Sequence, residues 1–139
     1  MLQTGMKGQM TMTVKQENTA EVMKSGTLQV FATPAMIALM EETAWKSVAG
    51  ELEDGCATVG TGINVRHLSA SPVGMEITCH TTLTEIDGRR LVFSVDIEDE
   101  AGRIGEGTHE RFIIESEKFL KKAEKKREKQ DTHKTGKMA

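Results

Sequence analysis

Hydrophobic residues along this chain follow two patterns, one helical and the others alternating. Thr33 is a good helix cap, and Pro34 follows at a position where a missing N–H costs nothing. AMIALMEETAWKSVA then runs to Gly50, with Met36, Met40, Ala44 and Val48 four apart and Ile37 and Leu39 widening the stripe. The pattern predicts one long helix closed by a glycine. Pro34–Met40 is uncharged and mostly apolar, so the first half of this helix is expected to be buried nearly all round. Glu41 follows at once, which places a carboxylate at the edge of the core or inside it.

From Ala57 the period becomes two. Val59, Ile63, Val65 and His67 are expected on one face of a strand over Ala57–His67. Met75, Ile77, Cys79 and Leu83 alternate with threonines and His80, and Leu91, Phe93, Val95 and Ile97 alternate with polar partners. Ile104–Ile114 is a last strand with Phe112 and Ile114 together. Ser71–Gly74, Asp87-Gly88 and Asp99–Gly102 read as turns. MTMTVKQ (Met10–Gln16) reads as a first strand and Glu17–Gly26 as a polar connection. A short strand, one helix and four strands joined by tight turns make an α+β fold, an antiparallel sheet wrapped around one central helix. Such a sheet covers one side of a helix that looks apolar nearly all round, so a homodimer is expected to cover the other.

Composition narrows the function. A chain of 139 residues has room for one core, and we read it as a single domain with soft ends over residues 1–9 and 130–139. Aromatic residues are 4%, with no Tyr and one Trp, which argues against stacking platforms for nucleic-acid bases. The net charge of −3 is uneven: from Glu115 onward nine Lys/Arg face five Asp/Glu, leaving the rest of the chain acidic. An acidic body gives no electrostatic reason to bind nucleic acid, and the basic KKAEKKREK run reads as a solvated helix. The N-terminal residues lack the apolar core of a signal peptide. No run nears the roughly 18 apolar residues of a membrane span. The expected compartment is the cytoplasm, with no membrane partner. Cys56 and Cys79 lack metal-ligand spacing and read as buried small hydrophobes in a reducing environment. No metal is expected, and no phosphate-binding loop, dinucleotide fingerprint or G-x-S-x-G elbow is present.

Four polar features remain: Thr33, Glu41, His67 and the run GEGTHER ending at Arg111. Each has an ordinary structural reading. Thr33 can be a cap, Glu41 a surface acid beside Glu42, His67 a core histidine, and Arg111 the partner of a nearby acid. The two glycines of the run suggest a close approach of backbone or ligand.

Taken as a set, VFATPAMIALMEETA, GTGINVRHLSASPVG and GEGTHERFIIESEKF, in that order between Val30 and Phe119, resemble the fluoroacetyl-CoA thioesterase-like branch of the hot-dog-fold thioesterases. The resemblance implies a hot-dog fold, a homodimer or dimer of dimers, and hydrolysis of acyl-CoA thioesters. Coenzyme A then enters as part of the substrate, with no separate cofactor. By motif, Thr33, Glu41 and His67 stand at the family's catalytic Thr, Glu and His. Gly60 stands at its backbone position near the thioester carbonyl, and Arg111 at the arginine of its THER motif.

A thioester is electrophilic and has a good leaving group, so this residue set suffices without a metal. Thr33 can attack or position water, Glu41 can act as base or nucleophile, and His67 can shuttle a proton near neutral pH. The helix N-terminus and the Gly60 N–H can meet a developing oxyanion. Eight residues of helix, roughly 12 Å at about 1.5 Å per residue, separate Thr33 from Glu41. The site is therefore expected to assemble across two subunits.

The segment before the helix, SGTLQVFAT, holds only Phe31 and no aromatic lid, which favours a short- or medium-chain acyl-CoA over the fluoroacetyl ester. Arg89-Arg90 after the hairpin read as solvated turn charges rather than CoA-phosphate ligands. Two rivals differ in class. A hot-dog hydratase would want a D-x-x-x-x-H helix start that this chain lacks. A non-catalytic acyl-CoA-binding dimer would keep the pocket glycines and Arg111 and tolerate loss of Glu41.

Overall fold

The computed structural model describes residues 1–128 in full and the backbone through residue 138; the soft end expected over 130–139 lies outside the fully described residues. Its elements are β1 (Lys7–Thr13), a 3-10 turn (Gln16–Asn18), α1 (Ala20–Met23), α2 (Thr33–Ala49), β2 (Cys56–His67), β3 (Glu76–Asp87), β4 (Arg90–Asp99), β5 (Gly102–Glu115) and α3 (Ser116–Met138). Five strands form one antiparallel sheet in the order β1-β3-β4-β5-β2. The fold is α+β, with the sheet curled around α2 as expected.

The core lies between α2 and the concave face of the sheet. Met36, Met40, Ala44 and Val48 are fully buried against Ile77, Cys79, Leu83, Leu91 and Phe93. Strand β4 is the plainest case of period two: Leu91, Phe93, Val95 and Ile97 are buried, and the residues between them are partly exposed. Each turn of the meander uses a left-handed glycine where the chain reverses, as at Gly88 (φ +60°) between β3 and β4.

Several boundaries differ from expectation for physical reasons. Strand β1 starts at Lys7 rather than Met10, so part of the supposed soft end is paired with β3, Gly8 opposite Thr81. Gly8 hides this strand from propensity reading, yet a side chain there would collide with Ser47 and the Thr43 carbonyl of α2. The polar connection holds α1, capped by the Thr19 hydroxyl. Gly50 caps α2 in a right-handed conformation rather than the left-handed one.

Two observations bear on function. Within one chain the sheet covers one side of α2, as expected: Ala35, Met36, Leu39 and Met40 are buried, while Pro34 and Ala38, and further along Trp45 and Ala49, face outward. The supposed single face of β2 is split. A bulge at Thr61, between Gly60 and Gly62, slips the register by one residue. Val59 pairs with Phe112, whereas Ile63, Val65 and His67 pair with His109, Gly107 and Gly105, on the opposite face of β5. The bulge turns Gly60 and His67 toward the same side of the sheet, the side on which α2 lies.

Candidate active site

The candidate residues fall into two groups along α2. At its start, Ala32 is the cap and makes no side-chain cap bond, and Thr33 is the first helical residue. The hydroxyl expected to cap the helix is instead 2.9 Å from Nδ1 of His67, at the end of β2. Phe31, buried beneath, sets its ring edge-on to the imidazole at 6.3 Å. It is core packing, not a lid. The other imidazole nitrogen, Nε2, is buried without a partner. Burial pushes the His67 pKa below the ordinary 6.5, against an opposing pull from the Ser69 backbone that falls short of a full hydrogen bond to Nε2. With the proton on Nε2, Nδ1 is free to accept the Thr33 proton, the arrangement a hydroxyl nucleophile or a positioned water requires. The pair lines a cavity of about 270 Å³ with Val30, Leu68, Ser69 and Ala70.

Two turns along the helix, Glu41 heads a second group. Its Oε2 is 3.2 Å from Nη1 of Arg111 and 3.9 Å from Nε2 of His109. Arg111 is buried, and its remaining bonds hold it rigidly: Nε donates to the Thr58 hydroxyl at 2.8 Å, Nη2 to the Thr58 carbonyl at 2.9 Å, and Nη1 also approaches His109 Nε2 at 3.1 Å. Burial is the main cause lowering the guanidinium's pKa, and Glu41 opposes it. His109 is buried as well, and Nδ1 lies 2.8 Å from the Gly62 carbonyl beside the bulge. Donation there leaves Nε2 as the acceptor for the guanidinium, which fixes the neutral tautomer. Burial first, and Arg111 as well, keep its pKa below 6.5, against opposing pulls from Gly62 and Glu41.

Gly60 completes this group, and its role is spatial. A Cβ there would run into Glu41 Oε2 and crowd Arg111 Nη1 and His109 Cε1 at 3.3 Å. The carboxylate therefore lies directly over a bare stretch of backbone. The structural reading of Arg111 is what the geometry shows: it pairs with an acid, and that acid is the candidate Glu41. His109 and Thr58 were not singled out from the sequence, although His109 alternates with Arg111 in the THER run and so shares its strand face. Glu42 and Arg90 take ordinary surface roles, Glu42 with Lys46 at 2.7 Å and Arg90 between Glu85 and Glu110.

The three candidates do not converge within one chain: Thr33 and His67 meet, while Glu41 stands roughly 12 Å further along the helix, at about 1.5 Å per residue. The family model for the fluoroacetyl-CoA-specific thioesterase matches residues 14–117. The chain belongs to this family. A fluoroacetyl-CoA thioesterase of Streptantibioticus cattleyicolor is 42% identical over 98 residues, 70% of each sequence. A crystal structure of the fluoroacetyl-CoA thioesterase superposes with a TM-score of 0.87 at 33% identity, covering 91% of this chain and 98% of that one. A thioesterase superfamily member of Thermus thermophilus gives 0.88 at 25% identity, over 95% and 98%. The protein is accordingly a thioester hydrolase with the hot-dog fold, and Thr33, Glu41, His67, Gly60 and Arg111 all lie within the matched segment.

Proposed function

We propose that the protein hydrolyses short- or medium-chain acyl-CoA esters in the cytoplasm, at a site completed by two copies of the chain. The observation that carries this reading is the division of the candidate residues along α2. One end presents a hydroxyl hydrogen-bonded to a neutral imidazole with an orphaned Nε2, and the other a carboxylate locked over Gly60. Neither half is a whole site. The outward-facing Pro34 and Ala38 give a second copy an apolar surface to pack on, and two helices packed antiparallel would set one chain's Thr33–His67 against the other's Glu41.

In this reading the thioester carbonyl lies between the halves. Glu41 acts as base or nucleophile on it, held in place by Arg111 and given room by Gly60. The first N–H groups of α2 stabilise the oxyanion. Thr33 positions water or attacks, and His67 carries the proton to the leaving thiolate. The missing aromatic lid supports a substrate other than the fluoroacetyl ester that names the family.

Thiol release from a panel of acyl-CoAs tests the activity. Glu41→Ala is expected to lower kcat/KM by about 10³-fold, within the usual range for a general base. Binding of CoA esters without turnover would favour a non-catalytic acyl-CoA-binding dimer. Mixing inactive Glu41→Ala and Thr33→Ala chains tests the shared site. Half the dimers become mixed and each has one intact site, so about a quarter of wild-type activity returns. No recovery, with subunit exchange confirmed, rejects it.

A further inference from the structure

Beside the Glu41 group opens a cavity of about 360 Å³ that the chemistry above leaves unused. Thr58 and Arg111 form one end of it; Trp45, Ala49, Leu52 and Cys56 line the rest. The volume is that of a small-ligand pocket. Its polar end makes little demand on a ligand, because four of the five guanidinium donors of Arg111 are already committed to Thr58, Glu41 and His109. The remaining wall is neutral. Trp45, the chain's one tryptophan, leaves 41% of its surface open along it. Ala49, one turn on, keeps the groove wide. The groove ends at Arg111, whose Nη1 holds the Glu41 carboxylate at 3.2 Å, and runs from there past Trp45 and Ala49 on the last turns of α2. A channel with neutral walls, whose one cation is already committed to Glu41, Thr58 and His109, fits a flexible alkyl tail better than a nucleotide or a charged arm.

We infer that this groove holds the hydrocarbon tail of the acyl group, and that Ala49, Leu52 and Cys56 set its length. The inference rests on the acyl-CoA reading and narrows the substrate class to straight-chain, medium-length acyl thioesters. Leu52 and Cys56 are the floor: both also line a second cavity of about 520 Å³ on the far side, toward Met1 and Ile113. A tail of fitting length stops there, and a smaller residue at position 52 joins the two spaces.

Cys56 supplies a direct reporter, since it is half-buried in the groove while Cys79 is fully buried in the core. Alkylation of the wild-type protein by iodoacetamide is followed by intact mass, with Cys56→Ser as control. The probes are S-octyl-CoA and S-ethyl-CoA, thioethers that cannot be hydrolysed. At about ten times its Kd, S-octyl-CoA is expected to slow Cys56 alkylation by about tenfold, and S-ethyl-CoA to leave it nearly unchanged. In the companion assay kcat/KM rises about fourfold per methylene, as for a buried CH₂, up to the length that reaches the floor. Ala49→Leu shortens that optimum and Leu52→Ala lengthens it. Equal protection by both thioethers, or a Cys56 unreactive without ligand, overturns the inference, as does an optimum neither substitution moves. Protection without turnover leaves the groove standing and rejects the thioesterase reading; turnover without selective protection does the reverse.

Discussion

The two ends of the helix differ most in how far their polar groups are satisfied. Around Glu41 nearly every donor and acceptor has a partner: Arg111 is bonded on three sides, and His109 is fixed by Gly62 and the guanidinium. Around Thr33 there is a single hydrogen bond, and His67 Nε2 is buried with none. Buried polar atoms are seldom left unpaired, so the sparse end is the one waiting for a ligand or another chain. The saturated end holds a group in place, and the sparse end is free to move a proton. Substitutions at the sparse end should therefore affect activity far more than stability at neutral pH, and those at the saturated end activity and stability together.

The largest effect expected at the sparse end comes from Thr33→Ala. It removes the hydroxyl and its bond to His67, and kcat/KM should fall by about 10²- to 10⁴-fold. One partly exposed hydrogen bond contributes about 1 kcal/mol or less, so chemical denaturation should barely register the change. A large loss of stability would mean that the hydroxyl is structural after all. Arg111→Met is the counterpart at the saturated end. It leaves His109 Nε2 and Thr58 without a donor and Glu41 without its cation. Activity should fall, and stability with it, by about 2–3 kcal/mol in urea titrations. Unchanged stability would show that the network is not the anchor its geometry suggests.

Much of the fold is legible in the alternation of β3 and β4, because each is buried on one face along its whole length. The site is less so. The hydroxyl of Thr33 finds its partner 34 residues away, and local preference alone reads it as a helix cap. The bulge at Thr61 inverts the facing of β2 halfway along, and nothing in the local run TVGTGINV marks which residue is the extra one. His109 is inconspicuous for a related reason. Its importance lies in the tautomer that a carbonyl on the neighbouring strand imposes, and only the register reveals that carbonyl. The resemblance carried in three separated segments supplied what periodicity did not.

Gly60→Ala gives an intermediate effect. One methyl group there must displace the Glu41 carboxylate or push it off Arg111. Misplacement of a reacting group by about 1 Å can cost about 10²-fold in rate, whereas overpacking at an exposed strand residue should cost no more than about 1–2 kcal/mol. A folded variant with full activity would separate Gly60 from the placement of Glu41.

The smallest effect expected is on the pH dependence of stability, and it tests both ends at once. His67 and His109 each have a folded-state pKa below the ordinary 6.5, with burial as the leading cause. Above that value both states of the protein carry neutral imidazoles, and the stability from these groups is fully present. As pH falls below 6.5 the unfolded chain takes up protons that the folded chain resists, so stability declines until the folded pKa values are passed. The activity limb should run the same way. A neutral His67 is the competent base, and its depressed pKa keeps it competent below pH 6.5. His109→Gln should flatten part of the acid decline in stability while leaving the acid midpoint of kcat/KM near its wild-type position. His67→Gln should flatten another part and remove the titrating base itself. If instead His109→Gln shifts the activity midpoint as far as it changes the stability slope, proton uptake is shared between the two ends, and the division between a holding half and a reacting half fails.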